Sequence, residues 1–198
     1  MMKIVKEEIE KNESILNTLK SFKPYKKFTE NILYNKYNNV SGRLVVKEGL
    51  LAQGRGEAFD YLLGEKTGKN AKFAIRAAAA QLHLAKMPVI SINGNVAALC
   101  PKQIIKLSKQ TKAKLEVNLF YTNEKRKNAI IKTLKNNGGK EILGTNSKNS
   151  IKLSGIDSAR RIVDKDGIFA ADVVVVPLED GDRTIALRKA GKIVITFD

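Results

Sequence analysis

Residues 88–95 read PVISINGN, a short apolar run that ends in a polar turn. The part at 89–92 predicts a buried strand, because apolar and β-branched residues in a run of this length fit a strand covered on both sides. Strand and helix patterns then alternate to the end of the chain. They predict helices at 101–111, 123–137 and 184–190, a helix-like stretch at 158–163, and strands at 115–120, 141–143, 172–176 and 192–196. This alternation is typical of an α/β fold with a mostly parallel sheet and helices on both faces.

The residues ahead of this region carry helical patterns. Residues 2–22 have apolar positions near helical spacing and predict an amphipathic helix. Residues 25–39 predict a second short helix, which we interpret as a packing arm or a dimer contact. The alanine-rich segment 71–86 predicts a helix suited to close packing against a sheet. We therefore divide the chain into an N-terminal helical arm, 1–42, and an α/β domain, 43–198.

The composition disfavours several classes of protein. Of the 198 residues 43% are hydrophobic, as in a globular chain. The single cysteine, Cys100, excludes an internal disulfide, and the single histidine, His83, argues against a zinc site or a histidine-based catalytic triad. Charges interrupt the N-terminus, and no apolar run approaches the roughly 20 residues of a membrane span. We therefore expect a cytoplasmic protein.

The formal net charge of +16 is unevenly distributed along the chain. Residues 101–150 contain 12 of the 36 basic residues and 3 of the 20 acidic ones. A basic surface attracts nucleic acid, and it also steers polyanionic metabolites such as nucleotides. Compositional drift towards lysine is an equally good explanation, and we interpret the stripe of Lys102, Lys106 and Lys109 as a solvated helix face. A nucleic-acid-binding module remains an open alternative.

Three polar strings, at 93–95, 121–123 and 179–184, follow predicted strands. The carboxyl ends of parallel strands meet at one edge of a sheet, where ligands gather and helix N-termini present free amides. The strings therefore predict a ligand site at that edge. For Asn93 and Asn95, which flank a glycine, a purely structural turn is the alternative.

The last of these strings has the clearest potential for binding an anion. Gly181 permits a tight turn, and Asp182 or Thr184 can cap the helix that follows. Arg183 can reach an anion at the positive end of that helix. An ordinary capped turn with solvated acids is the alternative interpretation.

A further polar stretch lies upstream, where residues 54–67 read GRGEAFDYLLGEKT. Glycine lets backbone amides approach an anion, and Arg55 can donate two parallel hydrogen bonds to a phosphate or carboxylate. Lys66 is a second candidate cation. The spacing fits neither the dinucleotide fingerprint nor the P-loop, so by itself it is a weak signal for an anion site.

Four strings of this sequence resemble the archaeal phosphopantothenate synthetases, the 4-phosphopantoate:beta-alanine ligases of coenzyme A synthesis. They are residues 54–67, 88–99, 113–121 and 176–184, and the similarity runs in collinear order from about residue 49 to residue 198. The resemblance implies a Rossmann-like fold and a homodimer. It also implies ATP-dependent joining of 4-phosphopantoate and beta-alanine to 4′-phosphopantothenate, with Mg²⁺, through an acyl-adenylate, with release of AMP and pyrophosphate. It implies neither a membrane nor a nucleic-acid partner.

The resemblance also assigns roles to particular residues. Those implied to bind the nucleotide are Arg55, Glu179, Asp180, Gly181, Asp182, Arg183 and Thr184, with Mg²⁺ near Asp180 and Asp182. Those implied to bind substrate and stabilise transition-state charge are Lys66, Asn93, Asn95 and Asn118. Glu57 and Asp60 would orient Arg55 or receive the ammonium group of beta-alanine.

The sequence departs from the family pattern in three places. Gln53 stands where a histidine is frequent, and no Arg-Glu-bearing helix precedes the glycine stretch. Family members continue into a segment resembling Asn-Pro-Leu-Ser-Arg-Thr, whereas this sequence stops at Asp198. We therefore expect an α/β domain truncated at its C-terminus that binds ATP more weakly than longer relatives. A degenerate structural subunit or a catalytically weakened nucleotide-binding remnant is the alternative.

Overall fold

The computed structural model describes residues 2–20, 44, 62, 64, 66–156, 158–178 and 181–197. The strands, in chain order, are β1 (Pro88–Ile92), β2 (Lys114–Val117), β3 (Ile142–Leu143), β4 (Ser150–Lys152), β5 (Ile162–Asp164), β6 (Val173–Pro177) and β7 (Ile193–Phe197). The helices are α1 (Met2–Lys20), α2 (Lys69–Leu84), α3 (Gly94–Leu99), α4 (Pro101–Thr111), α5 (Glu124–Asn136) and α6 (Gly181–Lys189). None of these helices is both long enough and apolar enough to span a bilayer.

Five strands form one sheet in the order β3-β2-β1-β6-β7, and every neighbouring pair is parallel. In the central pair Ser91 lies beside Glu116, and Ile90 lies beside Leu115. Strands that are parallel throughout need crossover connections, which the intervening helices provide. The predicted α/β fold with a mostly parallel sheet is confirmed.

The sheet is covered on both faces, since alternate strand residues point to opposite sides. Ile90, Ile92 and Val175 belong to a core that includes side chains from all of α1 to α5. Val89, Val174 and Val176 belong to a second core with α6 and residues from the segment between β3 and β6. This segment, residues 147–169 without residue 157, contains the antiparallel pair β4 and β5 and is called the insert below.

The first helix joins the larger core. Ile15 and Leu19 of α1 are buried there. Thr18 Oγ1 donates to Gln110 Oε1 of α4 at 2.6 Å, and Gln110 Nε2 in turn donates to Ser14 Oγ. The predicted helix at 2–22 is therefore confirmed over its described part. The predicted helix at 25–39 lies outside the described residues, so the proposed boundary at residue 42 remains a prediction.

The sequence patterns were wrong in the insert and incomplete just after β1. A helix was predicted at 158–163, but the chain forms a 3₁₀ turn, Ala159–Arg161, followed by strand β5. Val163 of β5 pairs with Ile151 of β4 and is buried in the second core. Strands of three residues carry too little periodicity to be separated from a helix turn. The short helix α3 was also missed.

Candidate functional site

The described residues of the polar strings, 93–95, 121–123 and 181–184, follow β1, β2 and β6 at the carboxyl edge of the sheet, as predicted. Asn93 follows β1, Asn118 follows β2, and α6 begins just after the end of β6. These three strands are adjacent in the sheet, so their ends lie about 5 Å from strand to strand. The edge thus brings together residues that are far apart in the chain, such as Arg183 and Ser91, which are 92 positions apart and whose contact is described below.

Asn93 ties the end of β1 to the end of β6. It is the N-cap of α3, where its Oδ1 accepts a hydrogen bond from the Val96 amide at 2.9 Å. Its Nδ2 donates to the carbonyls of Pro177, at 2.9 Å, and Leu178, at 3.0 Å. Leu178 has φ +53°, a left-handed conformation that costs a non-glycine residue free energy. Asn93 therefore helps to hold the strained residue from which the chain enters the predicted nucleotide turn.

Gly94 allows a close backbone approach at the same edge. A Cβ at this position would lie 1.9 Å from the Leu44 carbonyl oxygen and 2.5 Å from Nη2 of Arg126. Arg126 Nε donates to that same Leu44 carbonyl at 2.9 Å. Only glycine leaves room for this contact. Asn95, the next residue, is partly exposed beside it.

Asn118 connects the sheet to the insert and to α6. Its side chain is buried, with an exposed fraction of 3% for the residue. Nδ2 donates to the carbonyls of Arg160, at 3.1 Å, and Ile162, at 3.0 Å, while Oδ1 accepts from Nη1 of Arg183. Both ends of the amide are engaged, so Asn118 holds two separate parts of the chain in a defined relation to β2.

Arg183 points into the molecule rather than towards solvent. It is 1% exposed, and its Nη2 donates to Ser91 Oγ on β1 at 3.1 Å. Its helix, α6, begins at Gly181, so Asp182 and Thr184 lie inside the first turn, and the prediction that either residue caps the helix is wrong. Gly181 is exposed and Thr184 is partly exposed at that end. Arg183 thus anchors the first turn of α6 to β1 and β2.

Glu116 is a buried acid beneath this edge that the sequence reasoning did not select. It is fully buried on β2, and its carboxylate accepts hydrogen bonds from the amides of Asp164, at 3.0 Å, and Ile168, at 2.6 Å. Burial raises the pKa of Glu116 to about 7, while the two amides and the Arg183 charge oppose the rise. The available signal was an acid in the middle of the apolar strand β2, KLEV.

An aromatic pair forms an exposed rim beyond β2. The ring centroids of Phe120 and Tyr121 are 4.7 Å apart in an edge-to-face arrangement, and both rings are substantially exposed. The Arg160 guanidinium carbon lies 5.2 Å from the centroid of the Phe120 ring. This cation–π contact places an arginine from the insert at the rim of the site.

Other predicted site residues are not brought into this cluster within the described part of the chain. Lys66 is exposed, and its described contact is a backbone hydrogen bond to Gly64 at 2.8 Å. Arg55, Glu57, Asp60, Glu179 and Asp180 lie outside the described residues, as does the Asp182 side chain. The described residues contain no group of three or more His, Cys, Asp or Glu side chains able to hold a metal ion.

Comparison with known proteins finds relatives that are named as ligases. It is 54% identical over 156 residues to the 4-phosphopantoate–beta-alanine ligase of Thermococcus onnurineus, a match that covers 78% of this chain and 59% of that protein. Ligases of the same name from Methanosarcina mazei and Methanospirillum hungatei are 53% and 50% identical, with 76% and 78% of this chain covered. The chain matches about three fifths of the length of these relatives, 58% and 62% for the latter two.

The family model described as phosphopantothenate/pantothenate synthetase matches residues 70–198. This range contains the whole five-stranded sheet and also Asn93, Asn118 and Arg183 at its carboxyl edge. The resemblance drawn from four short strings is therefore confirmed. The chain belongs to the phosphopantothenate/pantothenate synthetase family.

Proposed function

We propose that this protein joins 4-phosphopantoate to beta-alanine with ATP, giving 4′-phosphopantothenate, AMP and pyrophosphate. The observation that carries the proposal is the gathering of three family strings at one sheet edge through Asn93, Asn118 and Arg183. This edge is where open parallel sheets bind their ligands. The ligase names of relatives that are 50–54% identical support the same reaction.

The first turn of α6 is the proposed nucleotide subsite. The backbone amides of a helix N-terminus attract phosphate, and Gly181 is exposed there. We assign residues 179–184 and Arg55 to ATP. Because its guanidinium is buried, Arg183 is proposed to position this turn rather than to serve as a solvent-exposed phosphate ligand. Mg²⁺ bound with ATP would neutralise phosphate charge, and Asp180 and Asp182 are the residues proposed to hold it.

The proposed reaction has two displacement steps. A carboxylate oxygen of 4-phosphopantoate attacks the α-phosphorus of ATP, and pyrophosphate leaves. The amine of beta-alanine then attacks the activated carbonyl carbon, AMP leaves with the bonding electron pair, and the amine proton passes to solvent. Such steps depend on positioning and on neutralising developing charge more than on a protein nucleophile.

The described residues fit two kinds of role in this scheme. Asn93 and Asn118 use their amides on backbone carbonyls, so we propose that they position the loops that bind substrate. Asn95 and Lys66 are accessible, and we propose that they contact substrate and transition-state charge. We also propose a cytoplasmic homodimer, for which the exposed Phe73 and Leu84 of α2 offer apolar surface.

Binding of nucleic acid is a second candidate function, favoured by one observation. A groove of about 410 Å³ on α4 is lined by Lys102, Lys106, Lys109 and Gln110, together with Ile105 and Asn137. The three lysines are exposed, as predicted for this stripe. Binding of single-stranded RNA that weakens steeply with salt and is lost in a Lys106→Ala/Lys109→Ala variant would support this function.

The ligase proposal is tested by AMP release from ATP and Mg²⁺. 4-Phosphopantoate and beta-alanine are added separately and together, to the wild type, Arg55→Ala and Arg183→Ala. We expect AMP formation to require 4-phosphopantoate and to fall in both variants. Arg188→Ala, which removes an exposed arginine from the last turn of α6, is the matched control and should leave the rate unchanged. Wild-type protein that binds ATP but releases no AMP under any combination would refute the ligase.

A further inference from the structure

Both oxygens of the buried Glu116 carboxylate accept hydrogen bonds from backbone amides of the insert. Its Oε1 accepts from the Asp164 amide at 3.0 Å and its Oε2 from the Ile168 amide at 2.6 Å. An ionised carboxylate accepts at both oxygens, whereas a protonated one carries a hydrogen on one of them that needs an acceptor. The geometry is therefore suited to the charged form of Glu116.

The insert packs so closely against this carboxylate that position 167 has no room for a side chain. A Cβ on Gly167 would lie 2.0 Å from Glu116 Oε2 and 3.2 Å from the Asp164 Cβ. Because the obstacle is the buried carboxylate itself, a larger residue at position 167 must displace either the turn or Glu116. The turn 164–168 and the side chain of Glu116 thus form one packed unit.

Glu116 also lies next to the network that anchors α6. Ser91 is its register partner on β1, and Asn118, two residues further along β2, points to the same face. Both accept hydrogen bonds from the buried Arg183, a cation that stays charged at every accessible pH. The charged groups that act on Glu116 are Arg183 from α6, which favours its ionisation, and Asp164 from β5, which opposes it.

We propose that Glu116 is a positioning residue of the ligase site. Its ionised carboxylate holds the 164–168 turn and supplies the negative charge beside Arg183, and so fixes the insert and the first turn of α6 relative to each other. The ligand whose binding depends on this arrangement is the nucleotide at the first turn of α6. This inference rests on the proposed function.

The test compares Glu116→Gln with wild type by titration with ATP and Mg²⁺. Glutamine keeps the shape but replaces one acceptor oxygen by an NH₂ group, which cannot accept from a backbone amide. We expect about tenfold weaker ATP binding at about pH 8, equivalent to roughly 1.4 kcal/mol. At about pH 6, where wild-type Glu116 is largely protonated, the two proteins should differ by less than about twofold. The matched control, Glu141→Gln, changes an exposed acid next to β3 and should follow the wild type at both pH values.

Equal ATP affinities for wild type and Glu116→Gln at about pH 8 would overturn the proposal, and so would a loss of the same size at both pH values. The second outcome would mean that the charge of Glu116 does not control the nucleotide site. If Glu116→Gln does not fold, Gly167→Ala replaces it, because a methyl group there must displace the turn from the carboxylate. It should weaken ATP binding similarly, and unchanged affinity would overturn the proposal.

Amide exchange separates this inference from the ligase proposal. When the turn opens locally while Glu116 stays buried, its two amides no longer lower the pKa of Glu116, so protonation favours the open turn. Protection factors of the Asp164 and Ile168 amides should therefore fall in the wild type between about pH 8 and about pH 6, and Glu116→Gln should lack this change. If the wild type binds no ATP, the ligase proposal fails, and the exchange data alone decide whether Glu116 holds the turn. Protection that is independent of pH and identical in both proteins would overturn the positioning role.

Discussion

The two faces of the central sheet bury different kinds of side chain. On the face covered by α1 to α5, the buried strand residues are apolar, as at Ile90, Ile92 and Leu115. On the other face, Val174 and Val176 share the interior with a polar group formed by Ser91, Glu116, Asn118 and Arg183. The strand residues on the first face contribute apolar packing, whereas the interior of the second face also holds polar groups that position the carboxyl edge.

The largest effect is expected from removing the buried cation of the polar face. Arg183→Met should lower the free energy of unfolding by about 4 kcal/mol, because it leaves Asn118 and Ser91 without their hydrogen-bond donor and removes the positive charge near the Glu116 carboxylate. The measurement is urea unfolding at neutral pH. Arg76→Met on the exposed side of α2 is the control, with an expected change of less than about 0.5 kcal/mol. If Arg183→Met lowers the free energy of unfolding no more than the control does, the buried polar group does not stabilise the fold.

The apolar face should respond almost as strongly in stability but not in function. Leu134 of α5 is fully buried in the larger core, and Leu134→Ala should cost about 3 kcal/mol through lost burial and the cavity left behind. ATP affinity of the folded protein should stay within about twofold, since Leu134 lies about two turns of α5 away from Arg126, which contacts the carboxyl edge. Lys132→Ala, at an exposed position of the same helix, is the control. A large loss of ATP affinity in Leu134→Ala would contradict the division between the faces.

Two asparagine caps allow a finer comparison. Asn93 and Asn123 each cap a helix, with Oδ1 accepting from the amides of Val96 and Arg126. Asn93 alone of these two also donates to the carbonyls of Pro177 and Leu178. Asn93→Ala should therefore cost about 2 kcal/mol and Asn123→Ala about 1 kcal/mol. Thermal unfolding measures the difference in stability. ATP titration should show weaker binding for Asn93→Ala only. Equal effects of the two substitutions would mean that the hydrogen bonds from Asn93 to Pro177 and Leu178 contribute nothing.

The smallest effect is expected on the pH dependence of stability, from two acids near opposite edges of the sheet, Asp172 and Glu116. At the amino edge Asp172 accepts from the amides of Lys86, at 2.7 Å, and Met87, at 3.0 Å. Desolvation acts to raise the pKa of Asp172, but these amides outweigh it and hold the pKa below its usual value. Its contribution to stability is therefore present above the pKa of the unfolded chain and is lost as pH falls through the folded pKa. Melting temperatures of Asp172→Asn should fall less on acidification than those of the wild type.

Glu116 should change the stability of the fold with pH in the opposite direction to Asp172. Its pKa is raised from 4.5 to about 7, so the folded protein holds a proton that the unfolded chain has released between these values. This contribution therefore declines as pH rises from about 4.5 to about 7. Glu116→Gln should remove the decline, whereas Asp172→Asn should leave it. Parallel pH profiles for the two variants would contradict the contrast between a buried carboxylate, Glu116, and a partly exposed one, Asp172.

The sequence was a good guide to elements with strong local periodicity. Helix α4 lies at the predicted 101–111, and strand β6 begins one residue after its predicted start. The carboxyl-edge location of 93–95 and 181–184 also followed from the pattern, because the carboxyl ends of parallel strands meet at one edge. The insert was predicted poorly, since β4 and β5 have three residues each and depend on pairing with one another.

The candidate site was predicted in part for similar reasons. Asn93, Asn118 and Arg183 were selected, and they meet at one edge. Their orientation was not predictable, because whether an amide or a guanidinium faces solvent depends on neighbours far along the chain. Glu116 was overlooked since an acid in a short strand is ordinarily solvent-facing. Its burial arises from the amides of Asp164 and Ile168, 48 and 52 residues away.

The sequence alone determined the fold class, the succession along the chain of the strands that form the main sheet, the family and the sheet edge that carries the polar strings. These features depend on apolar periodicity, turn residues and collinear strings, all of which are local along the chain. Only the tertiary structure decided that Arg183 turns inward to Ser91 and Asn118 and that Gly167 must stay small beside Glu116. The physical reason is that charge, burial and excluded volume depend on which segments pack together in space, which no single segment specifies.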